Sequence, residues 1–191
     1  VLTQAGDMAR EDDIATLFAA VDGFGKLTHL VNNAGITGKS GRLADTDPAV
    51  IRETIDVNVT GAILVAREAA RRLSTRLGGS GGAIVNMSSA AATLGSPGEY
   101  VWYAASKAAI DGLTYGLARE LANEGVRVNA IQPGMVDTEI HARSTGDAGR
   151  VERIRPSIPM QRVGSVEEIA DATLYLLSEA ASYVTGSILR V

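Results

Sequence analysis

The chain has 191 residues, of which 46% are hydrophobic and 21% charged, and this balance is typical of one globular domain rather than of a disordered segment. Its net charge is −4 with both signs interspersed, which excludes the basic surface that nucleic acids and anionic membranes require. It contains no cysteine, which excludes disulfides, thiolate metal sites and a cysteine nucleophile.

Four short apolar segments alternate with longer segments of helical periodicity. The strand-like segments are 27–35, 81–89, 125–134 and 185–191. Their alternation with helices is typical of βαβ units, and nearly continuous apolar runs are typical of parallel strands covered on both faces. The sequence therefore predicts an α/β fold with a doubly wound parallel sheet, built as a single domain over residues 1–191.

Two helical segments begin with capping signals. In the segment 47–73, Asp47 suits the N-cap and Pro48 the first helical position. Further along, Ser165 and Glu168 have the spacing of a capping box. We therefore predict helices that begin at these two points.

The segment 135–162 has weak periodicity and carries two glycines and two prolines beyond its first turn. Because a connection this long is usually functional or disordered, and because this one follows a strand end, where ligands bind in open α/β sheets, we predict a substrate lid. The alternative is a surface excursion with one short helix. The lid arginines either meet an anionic group or form a solvated face; they are Arg143, Arg150, Arg153 and Arg155.

Tyr103 and Lys107 lie four positions apart and therefore share a helix face. Taken alone, the pair fits a half-buried tyrosine and a solvated lysine equally well. However, Ser88 and Ser89 end an apolar strand that leads into this helix, so that strand end and helix start can converge on one crevice. There a lysine ammonium would lower the tyrosine pKa and allow general acid–base catalysis, while a serine hydroxyl held the substrate oxygen.

Five motifs in this order resemble those of the short-chain dehydrogenases/reductases. They are NNAG (32–35), VNVTG (57–61), NMSSAA (86–91), YAASK (103–107) and NAIQPGMVDT (129–138). Within the family the chain is most similar to classical reductases of the 3-oxoacyl-acyl-carrier-protein reductase and glucose-dehydrogenase type. The resemblance implies a Rossmann-like fold that binds NAD(P)(H), and a homotetramer or homodimer packed through helices around 47–76 and 103–123.

The resemblance implies four catalytic residues. Tyr103 would be the general acid/base, and Lys107 would lower its pKa and hydrogen-bond the nicotinamide ribose. Ser89 would hold the substrate oxygen, with Ser88 as the alternative because Ser89 stands one residue further from Tyr103 than the family spacing. Asn58 would hold a water that links Lys107 to solvent, a role compatible with satisfying backbone groups at a helix irregularity.

The resemblance also implies the cofactor contacts. Besides Tyr103 and Lys107 they are Asp7, Met8, Asn32, Ala34, Gly35, Pro133, Gly134, Val136 and Thr138. Asp7 would hydrogen-bond the adenine amine, although a cap before the first helix is an equal interpretation. The turn 32–35 would lie against the adenine-side ribose, and the segment 133–138 would bind the nicotinamide carboxamide through Val136 and Thr138.

In this family the fold begins with a strand, a glycine-rich turn and a helix that hold the pyrophosphate. Val1 instead corresponds to the region of the third strand. The resemblance therefore implies that about 60 residues, or two βα units of roughly 30 residues each, are missing from the N-terminal side. We expect residues 1–191 alone neither to bind the cofactor nor to be active, and the choice between NAD and NADP stays open.

The sequence thus predicts an NAD(P)-dependent enzyme that interconverts a ketone and a secondary alcohol by hydride transfer. The alternative is a non-catalytic ligand-binding or regulatory protein on the same fold, against which the four intact catalytic residues argue. Enoyl reduction is disfavoured because the tyrosine–lysine spacing with a preceding serine resembles carbonyl chemistry. With no apolar run of roughly 20 residues and no leader pattern, we expect a cytoplasmic protein without membrane, nucleic-acid or metal partners.

Overall fold

The computed structural model describes residues 1–147 and 149–191. Within this part of the chain, four parallel strands form one sheet in the order β1-β2-β3-β4. They are β1 (His29–Asn32), β2 (Gly82–Met87), β3 (Val126–Gln132) and β4 (Ile188–Arg190). Each strand lies inside one of the four segments predicted from the sequence, and the predicted α/β fold with a parallel sheet is confirmed.

Eight α-helices lie between or beside the strands in the described ranges. They are α1 (Glu11–Phe24), α2 (Pro48–Ile55), α3 (Ala62–Leu73), α4 (Ala91–Leu94), α5 (Val101–Leu121), α6 (Ile140–Thr145), α7 (Arg150–Ile154) and α8 (Val166–Leu177). A search of the described helices finds none with the length and apolar character needed to cross a membrane.

The helices cover the sheet on both faces. One core cluster joins α1, α3 and α5 to Ile84, Val126 and Val128 of the sheet, and a second joins α8 to Val85 and Ile131. Because consecutive strand residues point to opposite faces, Ile84 and Val85 anchor these two clusters on opposite sides of β2. The sheet is therefore doubly wound, which explains why neighbouring strand residues such as Ile84 and Val85 are both apolar.

Both capping predictions are confirmed. The Asp47 side chain accepts a hydrogen bond from the Ala49 backbone N–H at 2.8 Å, with Pro48 as the first residue of α2. At the start of α8, Ser165 and Glu168 form a reciprocal capping box. These contacts satisfy backbone donors that a helix start leaves unpaired.

The predicted long helix over 47–73 is interrupted. A π-helical turn, Asp56–Gly61, separates α2 from α3 and carries the buried Asn58. At its end, a Cβ added to Gly61 would lie 2.1 Å from the Met8 carbonyl oxygen. The glycine is therefore what allows the N-terminal segment to cross this turn at close range.

The predicted lid, 135–162, contains α6, α7 and a 3₁₀ turn at Arg155–Ser157, which is more helix than the surface-excursion alternative supposed. Its span includes residue 148, which lies outside the described residues, as does the Arg143 side chain. The lid arginines with described side chains form ion pairs within the protein. These pairs are Arg150–Glu99, Arg153–Asp147, Arg155–Glu152 and Arg162–Glu168.

Candidate active site

The carboxyl ends of β1, β2 and β3 meet at one edge of the sheet. The strand register pairs Asn32 with Asn86 and Met87 with Ile131, so that the loops after these strands open side by side. This is the position at which open α/β sheets bind ligands.

Ser89 and Tyr103 meet at this edge. Ser89 follows β2, Tyr103 lies in the first turn of α5, and the Ser89 hydroxyl is close enough to the Tyr103 phenol to lower the phenol's pKa. The Ser89 oxygen also accepts from the Ala91 backbone N–H at 3.1 Å, which orients it. Ser88 instead is buried and donates to the Lys107 carbonyl oxygen at 3.2 Å. Of the two candidate serines, Ser89 is the one beside the tyrosine.

Lys107 lies one turn after Tyr103 with only 5% of its surface exposed. Its Nζ donates to the Met87 carbonyl oxygen at 2.8 Å and lies 5.7 Å from the centroid of the Tyr103 ring. Burial lowers the Lys107 pKa from 10.5 to about 8, and the negative charge of Asp111 opposes this change. At neutral pH the side chain is therefore still mostly an ammonium ion, held next to the phenol.

The Tyr103 pKa is raised, whereas Lys107 was expected to lower it. Burial of the phenol raises its pKa, and the hydrogen bond with Ser89 opposes that rise only in part. Removing a phenolate from water is costly, and in the protein alone this cost outweighs the attraction of a cation 5.7 Å away.

Asn58 ties the loop after β1 to the helix that carries the tyrosine. Its Oδ1 accepts from the Ile36 backbone N–H at 2.8 Å, and its Nδ2 donates to the Ile36 carbonyl oxygen at 2.7 Å and to Ser106 Oγ at 3.0 Å. Both amide hydrogens are thus used within the protein. The side chain satisfies backbone groups, as the sequence allowed, and fixes Ile36 relative to α5.

The turn 32–35 approaches Lys107 closely. A Cβ on Gly35 would lie 3.2 Å from both Lys107 Nζ and Asn58 Oδ1. Asn32, which is 7% exposed, anchors the start of the turn by donating to the Ala62 carbonyl oxygen at 2.9 Å. Ala34 and Gly35 are exposed, so that their backbone is accessible beside the lysine.

Asp7 and Met8 reach the same edge of the sheet by a different route. Met8 packs on the core, and its carbonyl group lies over Gly61, the neighbour of the Ala62 that accepts from Asn32. The Asp7 carboxylate accepts from the Ala9 backbone N–H at 2.9 Å in the turn that precedes α1. Asp7 is therefore not the cap of α1, whose N-cap is Arg10 without a side-chain cap bond; its carboxylate satisfies the turn before the helix.

The segment 133–138 follows β3 into the same crevice. The Pro133 carbonyl oxygen accepts from the Ala90 N–H at 2.9 Å, and the Gly134 N–H donates to Val191 at 2.7 Å. Val136 forms a parallel bridge with Gly164, and Thr138 is exposed. Hydrogen bonds thus anchor the segment at the end of β3, while Thr138 further along is exposed to solvent.

The donor set suits a nicotinamide dinucleotide. Lys107 has three ammonium hydrogens, of which one goes to Met87, and the Tyr103 phenol lies beside it. These two groups can hydrogen-bond the hydroxyls of a ribose, and the exposed backbone of Ala34 and Gly35 leaves room beside them for the adenine side. The residues present therefore fit the nicotinamide half of the cofactor.

Sequence reasoning missed three neighbours of the site. Ser106 bonds Asn58, Trp102 donates from Nε1 to the Thr37 carbonyl oxygen at 2.9 Å, and the Tyr100 ring packs edge-on against Tyr103. Ser106 stands inside a motif that the analysis had singled out, but a serine in a helix gives no signal of its partner.

The chain is similar to known proteins over nearly its whole length. A family model described as enoyl-(acyl carrier protein) reductase matches residues 2–191. The uncharacterised oxidoreductase YgfF of Escherichia coli K12 is 49% identical, over 99% of this chain and 80% of the relative. A 3alpha-hydroxysteroid dehydrogenase of Mediterraneibacter gnavus is 41% identical, over 88% of this chain and 64% of the relative.

Two solved structures are similar over nearly the whole chain. A 3-ketoacyl-(acyl-carrier-protein) reductase from Brucella melitensis, complexed with NADH, superimposes with a TM-score of 0.90 at 33% identity and covers 100% of this chain and 76% of that one. A short chain dehydrogenase from Burkholderia cenocepacia, in complex with NADP, has a TM-score of 0.86 at 32% identity, with coverages of 97% and 73%.

Proposed function

We propose the following function for this chain, which belongs to the short-chain dehydrogenase/reductase family. It is an NAD(P)-dependent oxidoreductase. Beyond that, we propose that it interconverts a ketone and a secondary alcohol, with Tyr103 as the general acid/base.

One observation carries this proposal: the Tyr103 phenol has the Ser89 hydroxyl close enough to lower its pKa and the Lys107 ammonium 5.7 Å from its ring centroid. A phenol is a weak acid and its anion is unstable in a buried site. A hydroxyl donor and a cation are the two groups that stabilise the phenolate. Their presence on either side of one tyrosine supports proton transfer at its oxygen.

When bound, the nicotinamide cofactor would supply the hydride for reduction of the carbonyl carbon. The Ser89 hydroxyl donates a hydrogen bond to the carbonyl oxygen, which polarises the C=O bond and orients it toward Tyr103. Tyr103 then gives its proton to that oxygen as the alcohol forms. In the oxidation the same phenolate oxygen takes the hydroxyl proton from the alcohol.

Lys107 has two tasks in this proposal. Its charge stabilises the phenolate that proton transfer leaves on Tyr103, and its ammonium hydrogens hold the nicotinamide ribose. Asn58 holds the Ile36 backbone beside α5. This keeps the preceding residue, Gly35, close to the Lys107 ammonium. In this way the asparagine supports the path by which Lys107 exchanges protons with solvent.

The remaining cofactor contacts are proposed from the same edge of the sheet. The nicotinamide carboxamide is assigned to Val136 and Thr138 after the Pro133–Gly134 turn, and the adenine side to the turn 32–35. Asp7 and Met8 are assigned to the adenine, although the Asp7 carboxylate also accepts a hydrogen bond from the Ala9 N–H within its own turn.

Two other functions were weighed against this one. A non-catalytic ligand-binding protein does not need a tyrosine held between a hydroxyl and an ammonium ion. Enoyl reduction gives the matching family model its description, but a serine hydroxyl beside the Tyr103 phenol suits the oxygen of a ketone or alcohol. Assay of both a ketone and an enoyl thioester separates the two reactions.

We also propose the domain and assembly. Residues 1–191 form one Rossmann-like domain with a substrate lid at about 135–162. The groove between α3 and α5 carries exposed apolar side chains, among them Ile63 and Leu77 at 43% and 53% exposure, and we assign it to contact with a second copy in a homodimer or homotetramer. Light scattering of the purified protein measures this directly.

The decisive experiment replaces Tyr103 by Phe in the complete protein. The substitution removes one oxygen and leaves the ring, so that turnover should fall by about 10²–10⁴-fold while NAD(P)H binding, followed by nicotinamide fluorescence, stays within about threefold. Tyr115→Phe is the matched control, since Tyr115 lies on the same helix and is 50% exposed. Turnover retained within tenfold in Tyr103→Phe would refute the acid/base assignment.

A further inference from the structure

The lid is joined to the start of the catalytic helix by an ion pair between Arg150 and Glu99. Arg150 lies at the start of α7, and Glu99 stands two residues before α5. The guanidinium donates twice, from Nη2 to Glu99 Oε2 at 2.5 Å and from Nε to Oε1 at 3.1 Å. Two parallel donations to one carboxylate fix the angle as well as the distance between the two segments.

The burial of Arg150 distinguishes it from the other lid arginines with described side chains. The side chains of Arg153, Arg155 and Arg162 are 44–61% exposed and pair with carboxylates inside or just after the lid. The Arg150 side chain is 6% exposed and crosses to another part of the fold. Exposed pairs contribute little, whereas a buried cation requires its partner. Removing Glu99 would therefore take from this buried cation the carboxylate that it pairs with.

Tyr100 lies between this ion pair and the catalytic tyrosine. It is 6% exposed, and the Arg150 guanidinium carbon lies 5.7 Å from its ring centroid. The Tyr100 and Tyr103 ring centroids are 5.7 Å apart at 86°, in an edge-to-face contact. Burial raises the Tyr100 pKa to about 12, so that its phenol stays neutral at physiological pH.

Backbone hydrogen bonds from the loop after β1 also join the lid and the residues before α5. In the loop after β1, Ser40 N–H donates to the Ser144 carbonyl oxygen at 2.9 Å, and Gly41 N–H donates to the Glu99 carbonyl oxygen at 2.7 Å. This loop therefore contacts both the lid and the residues before α5. The lid, the loop and the start of the catalytic helix are packed as one unit.

We infer that Arg150 latches the lid to the catalytic helix through Glu99, and that Tyr100 is a positioning residue that holds the Tyr103 ring from the side of the lid. The inference rests on the proposed function, in which Tyr103 is the acid/base. With the latch closed, α7 is fixed relative to the start of α5 and the Arg150 guanidinium is paired with the Glu99 carboxylate. When the Arg150–Glu99 pair is broken, substrate is bound less tightly. The Tyr103 ring keeps its edge-to-face contact unless Tyr100 also moves.

The latch is tested with Glu99→Gln, Arg150→Gln and the double variant in the complete protein. Each single variant should raise KM by about tenfold, with kcat within about threefold, and the double variant should raise KM no more than the worse single. Asp22→Asn is the matched control: it breaks a bidentate pair with Arg72 of the same geometry, between α1 and α3, and should leave KM unchanged. Unchanged KM in both single variants, or additive effects, would overturn the latch.

Tyr100 is tested by a pair of substitutions. Tyr100→Phe keeps the ring and should keep kcat within about threefold, whereas Tyr100→Leu removes the edge-to-face contact and should lower kcat by about tenfold. The pH profile of kcat should move in the leucine variant alone, because a merely structural role would lower thermal stability without moving that profile. Equal kcat and pH profiles in the two variants would refute the positioning role.

Hydrogen exchange separates this inference from the proposed function. Amide exchange in 150–154 should become at least about tenfold faster in Glu99→Gln and stay unchanged in Asp22→Asn. If the wild type reduces no ketone, the proposed function fails, yet faster exchange would still support the latch. If the wild type is active and exchange is unaltered in Glu99→Gln, the latch fails and the function stands.

Discussion

Replacing Lys107 by Met should stabilise the folded protein at neutral pH while abolishing its activity. Burial lowers the Lys107 pKa from 10.5 to about 8. Since one pKa unit corresponds to about 1.4 kcal/mol, keeping the charged side chain in the fold costs roughly 3 kcal/mol. Methionine avoids this cost but leaves the Met87 carbonyl without its 2.8 Å donor, a loss of about 1 kcal/mol. The expected net gain in the free energy of unfolding is about 2 kcal/mol at pH 7.

The pH dependence gives this prediction its sign. The folded protein loses the lysine proton near pH 8, whereas the unfolded chain keeps it to about pH 10.5. Between these values the unfolded state binds more protons, so that raising the pH stabilises the wild type. The methionine variant has no such proton. Its advantage should therefore be complete below pH 8, shrink as the pH rises, and become a deficit of about 1 kcal/mol by about pH 10.5, where only the lost hydrogen bond to Met87 remains.

Urea unfolding of the complete protein between pH 6.5 and 10.5 measures both quantities. Lys39→Met is the control, because Lys39 is exposed and its replacement should change the free energy of unfolding by no more than about 0.5 kcal/mol at any pH. A Lys107→Met protein less stable than wild type at pH 7, or a stability difference that does not depend on pH, would refute the reasoning.

Three further substitutions probe close approaches and charge. Gly35→Ala places a Cβ 3.2 Å from Lys107 Nζ and should lower kcat/KM by about tenfold or more, whereas Gly112→Ala, with no atom within 4 Å, should leave it unchanged. Asp111→Asn removes a charge that raises the Lys107 pKa, so that the corresponding limb of the pH–rate profile should move to lower pH; movement upward would contradict the assignment. Gly61→Ala, whose Cβ would meet a carbonyl oxygen at 2.1 Å, should destabilise the protein by about 2 kcal/mol or more in urea unfolding, and a loss under 0.5 kcal/mol would disprove the close contact.

Local features of the fold could be predicted because their causes are local. The capping box at Ser165 and Glu168 and the cap at Asp47 require only backbone groups within three residues. The strands were found because residues covered on both faces must be apolar along the whole run. Both predictions use only the residue types within one short segment of the sequence.

The site could be located from its motifs, but its contacts could not. Arg150 and Glu99 are 51 positions apart, and nothing in either stretch of sequence indicates the other. The balance at Tyr103 was also out of reach, because the rise in its pKa depends on how deeply the ring is buried. Asn58 was identified as a helix irregularity, but the π-helical form of that irregularity and the Ile36 contacts that use it are tertiary.

The π-helical turn at Asp56–Gly61 acts as a phase offset between the two helices that it joins. An α-helix rotates about 100° per residue, so that an uninterrupted helix would set Leu73 roughly 100° away from Thr54 around the axis. A wider turn rotates less per residue, and both side chains are fully buried. Deleting one residue from the turn would leave about 18 residue steps from Thr54 to Leu73, or five full rotations of a regular α-helix, so that Val65, Ala69 and Leu73 would still face the sheet. The turn therefore accommodates one additional residue, and with it the buried Asn58, without turning α3 away from its core. A one-residue deletion here should preserve the packing of α3 and be felt mainly in the contacts of Asn58.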